Sequence, residues 1–95
     1  MSISYKLIYH PKVKTNDIPR LDNVTAKRIK TAIELKLIVN PLKYGFFLHG
    51  SLQGYRKLRV GDWRIVYRIV GNTIRIIAIG HRKDNIVYNK ASSRL

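Results

Sequence analysis

Between residues 55 and 80, apolar and polar side chains alternate with a period of two. The alternation is interrupted only at Gly61-Asp62 and Gly71-Asn72. This pattern predicts three antiparallel strands, at about 55 to 60, 63 to 70 and 73 to 80, because alternate side chains of a strand point to opposite faces. Glycine first in each two-residue loop is the signature of a type II′ hairpin turn, whose twist matches that of the flanking strands. Residues 3–9 alternate in the same way and predict a further strand.

The period changes in between. Pro11 and Ile18-Pro19 enclose a stretch that holds at most a short helix, since the residue before a proline avoids the α region. Ala26, Ile29, Ile33 and Leu37 then recur at helical spacing, with Lys27, Lys30, Glu34 and Lys36 off that stripe. Asp22 or Asn23 can cap this helix and Asn40-Pro41 ends it. Residues 41–55 show no period and read as loop, with Phe46, Phe47 and Leu48 expected to plug the core. The expected fold is α+β: an N-terminal strand, two helices (one short), a three-stranded meander completing a four-stranded sheet, and a short C-terminal segment.

Two-residue turns set the register. Arg59 falls opposite Arg64, Lys57 opposite Val66, Arg68 opposite Arg75 and Arg64 opposite Ile79. One face then collects Leu58, Val60, Trp63, Ile65, Tyr67, Ile69, Ile74, Ile76 and Ala78, and is expected to pack on the helices. The other collects Tyr55, Lys57, Arg59, Arg64, Val66, Arg68, Arg75, Ile77, Ile79 and His81.

Composition sharpens the meaning of that second face. The 95 residues, enough for one domain over 1–95, include 19 Lys and Arg against 5 Asp and Glu, a formal charge of +14. Like charges directly opposite on a sheet are destabilising, so two arginine pairs on one face call for an anion to offset the repulsion. Tyr55 and Tyr88 add ring faces on which RNA bases can stack.

Several classes fall away. Without cysteine there is no disulfide or thiolate site. The scattered His10, His49 and His81 have no metal-ligand spacing, and Gly61 and Gly71 are turn residues rather than a phosphate-cradling loop, so neither metal nor cofactor is expected. No apolar run approaches the ~20 residues of a membrane span, and no signal peptide opens the chain, which leads to the expectation of a soluble cytoplasmic protein.

Two stretches, GYRKLRVGDWRIVY (54–67) and IIAIGHRKDNIVY (76–88), resemble the RelE/ParE superfamily of toxins from type II toxin–antitoxin systems, and more closely its RelE-type ribosome-dependent mRNA endonucleases. The resemblance implies metal-free RNA cleavage, in which a ribose 2′-OH attacks the adjacent phosphate and leaves a 2′,3′-cyclic phosphate. By position, Lys57 matches a second-strand lysine of that family, Arg64 a third-strand arginine, Arg82 the arginine after the fourth strand, and Tyr88 the tyrosine six residues on. Arg64, with Arg59 nearby, is assigned to the scissile phosphate, and Arg82 to the leaving 5′-oxygen. Lys57 is the candidate base and His81 its rival. Tyr55, Arg59, Arg68, Arg75 and Lys83 are expected to hold RNA phosphates and bases.

Tyr55 stands where the family has a second lysine. Two alternatives therefore stay open: a ParE-like gyrase poison, and a non-catalytic RNA-binding module. The implied partners are an acidic antitoxin that folds on binding, together with the ribosome and mRNA.

Overall fold

The structure is a computed structural model that describes residues 4–95. Five strands form one sheet in the order β1-β5-β4-β3-β2: β1 (Lys6–Tyr9), β2 (Phe46–Phe47), β3 (Arg56–Val60), β4 (Trp63–Val70) and β5 (Thr73–His81). β1 runs parallel to β5 and the other pairings are antiparallel. The three-stranded meander and its two turns follow the sequence pattern. Gly61 and Gly71 both take φ of +60°, while Asp62 and Asn72 keep negative φ, as a type II′ turn requires. Ile3, placed in the first strand from its alternation, lies outside the described residues.

Helical segments cover both faces of this sheet. Val13–Asp17 and Ile18–Arg20 form one short irregular helical stretch between β1 and α1 (Asn23–Ala32), which widens into a π turn over Ile33–Leu37. Asp22 caps α1, its carboxylate accepting from the Thr25 N–H at 2.6 Å. Ile29, Ile33 and Leu37, on the stripe read from the sequence, are buried with Val13, Leu58, Ile65, Tyr67, Ile74, Ile76 and Ile79. The C-terminal segment, expected only to be short, is a second helix, α2 (Ile86–Ser93). It presses Val87 and Ala91 onto Val66, Ile77 and Ala78 and makes a second core on the opposite face.

Three expectations are corrected here. The sheet has five strands rather than four, because residues 46–47 pair with Lys57 and Arg56. Phe46 and Phe47 do not plug the core but are 56% and 62% exposed on this edge strand. The third correction is a bulge: Val66 pairs with Ala78 and the next residue, Tyr67, with Ile76, which leaves Ile77 as an extra residue in β5. Beyond it every side chain changes face. Arg64 therefore lies opposite Gly80, not Ile79; Ile79 joins the first core and Ala78 the second.

Tyr67 ties the 41–45 loop to the sheet. Fully buried, it places its hydroxyl 3.0 Å from the Pro41 carbonyl and 2.6 Å from that of Tyr44, and burial pushes its ionisation up to about 12. Gly45 beside it adopts φ of +96°, and a β-carbon there would run into the Tyr67 hydroxyl. Gly45→Ala combines a left-handed backbone with this clash, a cost of about 2 kcal/mol. A fall in melting temperature of about 10 °C is expected by thermal denaturation, and an unchanged melt would contradict the packing described.

Candidate active site

The sheet face carrying the arginines is not open along its length, because α2 covers its centre. The cations that remain accessible are divided between its two ends. At one end the β3–β4 turn, the end of β5 and the start of α2 enclose a cleft of about 570 Å³ lined by Lys57, Arg64, His81, Arg82, Lys83, Asp84, Asn85 and Tyr88.

Local structure orders the two arginines differently. Arg64 Nη1 donates to the carbonyls of Gly61 and Trp63, both at 2.8 Å, so the turn preceding β4 holds its guanidinium. Arg82 is docked by Asp62: its backbone N–H donates to the Asp62 carbonyl at 2.9 Å and its Nε to the carboxylate at 3.0 Å. Both partners are mostly exposed, so this pair orients more than it stabilises. In each arginine some of the five N–H donors stay free for an anion.

Tyr88 and Lys57 meet across the cleft, the ammonium 5.6 Å from the ring centroid. The helix that carries Tyr88 can lie this close because residue 80 is glycine: a β-carbon there would sit 3.1 Å from Cβ of Val87. Asp84 and Asn85, just before α2, take φ of 56° and 57°. Asp and Asn tolerate this left-handed conformation better than other side chains, and strained backbone of this kind concentrates at functional sites.

His81 reaches the cleft, but not by the parity that placed it on the cationic face. After the bulge it pairs with Trp63, edge to face with ring centroids 5.2 Å apart. Its Nδ1 accepts from the Lys83 N–H at 3.1 Å, so a neutral ring carries its proton on Nε2.

The other sequence candidates lie outside this cleft. Arg59 is opposite Arg64, as its register demands, yet its guanidinium lies 4.8 Å from the Phe46 ring centroid. Arg68 and Arg75 face each other at the far end of the sheet, about 13 Å along β4 from Arg64. Tyr55 sits below Arg68, 5.6 Å from its guanidinium, and packs partly buried against the second core.

Asp84 in the cleft wall and two acids that hold it together were absent from the candidates. Asp62 carried no signal beyond its place in a turn. Asp17 is 2% exposed and, apart from the adjacent Asn16, lies 62 to 77 residues from the groups it binds. It accepts from Arg94 through both oxygens (2.7 and 2.8 Å), from Lys90 at 3.2 Å and from the Ile79 N–H at 2.9 Å. Burial by itself would raise its ionisation, but these donors and that of Asn16 outweigh it and lower the value to about 2. Asp17 thereby anchors α2, and with it Tyr88, to the sheet. Among the described residues no three His, Cys, Asp or Glu side chains gather as a metal-ligand set.

Comparison with known proteins bears on this arrangement. A family model described as the ParE toxin of the type II toxin–antitoxin system matches residues 7–86. No curated protein matches the sequence. Among solved structures, the chain is similar to the RelBE2 toxin–antitoxin complex from Mycobacterium tuberculosis, with a TM-score of 0.77 and 24% identity over 84% of this chain and 100% of that one. It is also similar to a mutant Escherichia coli RelE toxin in the free state (TM-score 0.73, 19% identity, 97% and 98% covered). E. coli YafQ matches with a TM-score of 0.55 and 22% identity, covering 86% and 98%. At these identities the structural matches establish the fold.

Proposed function

This chain belongs to the ParE toxin family of type II toxin–antitoxin systems, and on that premise we propose that it is an endoribonuclease that cleaves mRNA in the ribosomal A site. The observation that carries this reading is the convergence of Lys57, Arg64, Arg82 and Tyr88, from two strands, a post-strand turn and a helix, in one cationic cleft. A protein that only docks a partner has no need of two arginines held by backbone and carboxylate with donors left over.

Each group has a chemical task. The 2′-oxygen forms a bond to phosphorus as its proton leaves to a base, and the bond from phosphorus to the 5′-oxygen breaks as that oxygen gains a proton from water. Arg64, its guanidinium preset by two carbonyls, meets the negative charge that builds on the phosphorane oxygens, where preorganised donors act most strongly. Arg82 stands by the departing 5′-oxygen. Lys57, as the neutral amine, takes the 2′-proton, with His81 the rival base, and Tyr88 stacks on a base to align the 2′-oxygen for attack.

The antitoxin fits the same electrostatics. The M. tuberculosis relative is a toxin–antitoxin complex; for this chain, at +14, an acidic antitoxin segment complements the surface. No helix among the described residues is long and apolar enough to cross a membrane. A ribosomal substrate would place the protein in the cytoplasm.

The test is to add purified, antitoxin-free protein to a defined translation extract with one labelled mRNA, with and without ribosomes, and to map the 5′ ends of the breaks. Cuts that require ribosomes and keep step with the A-site codon are expected. Intact mRNA from folded protein would end the nuclease reading. If the same preparation then blocked supercoiling by purified gyrase, the gyrase reading would replace it.

A further inference from the structure

β2 is one edge of the sheet, and its two residues are both phenylalanines exposed to solvent. Exposed rings on an edge strand invite aggregation unless something blunts them. Here an arginine covers each: Arg59 lies 4.8 Å from the centroid of Phe46 and Arg56 lies 4.1 Å from that of Phe47.

The two rings are on opposite faces of the sheet, because they are adjacent in a strand. Phe46 pairs with Lys57, which lines the cleft, and shares the face of Arg59 and Arg64. Phe47 pairs with Arg56, whose guanidinium reaches back toward the Leu42 carbonyl on the α1 side. Phe46 thus extends the cationic face outward by two strands from Arg64, a distance of about 10 Å.

We propose that Phe46 and Arg59 form a nucleobase-stacking platform that holds single-stranded RNA beside the cleavage cleft. The inference rests on the reading of the cleft as an RNA site and adds a separate nucleotide subsite to it. A phenyl ring accepts the π face of any base, and a stacked guanidinium supplies both a second flat surface and donors for the neighbouring phosphate. None of the ion pairs among the described residues involves Arg59, so no carboxylate competes for it. A second copy of the chain is a poor occupant, since it would bring +14 against +14. The two rings also do not merge into one apolar patch, which a hydrophobic protein partner would require.

The probe is a short single-stranded RNA with 2′-O-methyl riboses, which lacks the attacking hydroxyl, and with a fluorescent 2-aminopurine base that quenches on stacking. Wild-type protein is expected to bind and quench it. Phe46→Ala should raise Kd roughly tenfold or more and abolish the quench, Phe46→Trp should retain both, and Phe47→Ala should stay within about twofold of wild type. Because Phe46 is exposed, the variants are expected to melt like wild type. Failure of the wild type to bind, full binding by Phe46→Ala, or an equal loss in Phe47→Ala would each overturn the platform. The uncleavable RNA keeps the two ideas apart. Stacking by a protein that never cuts mRNA on ribosomes would retain the platform and end the nuclease reading. A cutting enzyme indifferent to Phe46→Ala would end the platform alone.

Discussion

Asp17→Ala is expected to lower the melting temperature by about 15 °C or more, the largest stability effect of any single substitution considered for this chain. The carboxylate is buried and serves four partners, and Arg94, whose side chain is 3% exposed, has no water to replace it. Removing one member of a buried ion pair leaves the other charge uncompensated, which costs about 3–5 kcal/mol. A domain of this size shifts by roughly 4–8 °C for each kcal/mol. The Ile79 N–H, beyond the reach of β1 along β5, also loses its acceptor. Asp17→Asn keeps an oxygen for that N–H and part of the Arg94 bond, so its loss should be intermediate.

Acid should reproduce the effect in the wild type. The folded carboxylate titrates at about 2, below its ordinary 3.8, so its contribution is complete above about pH 4 and is lost as pH falls through 2. That contribution is about 2–3 kcal/mol. Melting followed from pH 5 to 2 should show Asp17→Asn lacking this part of the acid limb. An Asp17→Ala protein that melts within a few degrees of wild type would remove Asp17 as the anchor of α2.

Arg64→Ala is expected to reduce the cleavage rate by roughly 10²–10³ while leaving the fold intact. The guanidinium donates to the Gly61 carbonyl at an exposed site and to the Trp63 carbonyl at a half-buried one, so its removal strands no fully buried group. What disappears is a cation already in position before charge develops on the phosphorane, and a mobile replacement would have to be ordered during the reaction. Arg64→Lys keeps the charge but cannot bridge the two carbonyls and a phosphate with one planar fork, so it should recover only a small part of the rate. The comparison is single-turnover cleavage on programmed ribosomes, with circular dichroism to verify folding. Wild-type rates in Arg64→Ala would take Arg64 out of the site.

The parts of the site that were legible in the sequence are those set by near neighbours. Alternation over 55–80 and glycine at 61 and 71 give the meander. Register then places Arg59 against Arg64 and Arg68 against Arg75 without any knowledge of the rest of the chain. Arg82 was visible only through the spacing shared with a family, and Tyr88 through that spacing and as a ring face for bases. Asp62 was not visible, since its bond to Arg82 spans 20 residues and follows from the way the end of β5 returns beside the turn.

Phe46 shows why composition misleads at an edge. Phenylalanine between two core elements ordinarily goes inside, but on the Phe47 face the first core is already filled by Ile33, Leu37, Leu58 and Tyr67, on the Phe46 face the second core is filled by Leu52, Val66 and Val87, and the Tyr67 hydroxyl holds the preceding loop at the rim of the sheet. The rings are left outside, where arginines cover them.

The elements of the meander, the stripe of α1, the excess of positive charge and the residue types available for phosphate chemistry are set by the order of residues alone. These depend on backbone preferences and side-chain periods that act over a few residues. The bulge at Ile77 that reverses the faces of β5 beyond it, the closing of the middle of the cationic face by α2, and the reach of Asp17 to Arg94 across 77 residues come instead from long-range packing. Those outcomes depend on how two cores fill at once. Packing free energy over the whole chain selects among arrangements that local periodicity leaves equally acceptable.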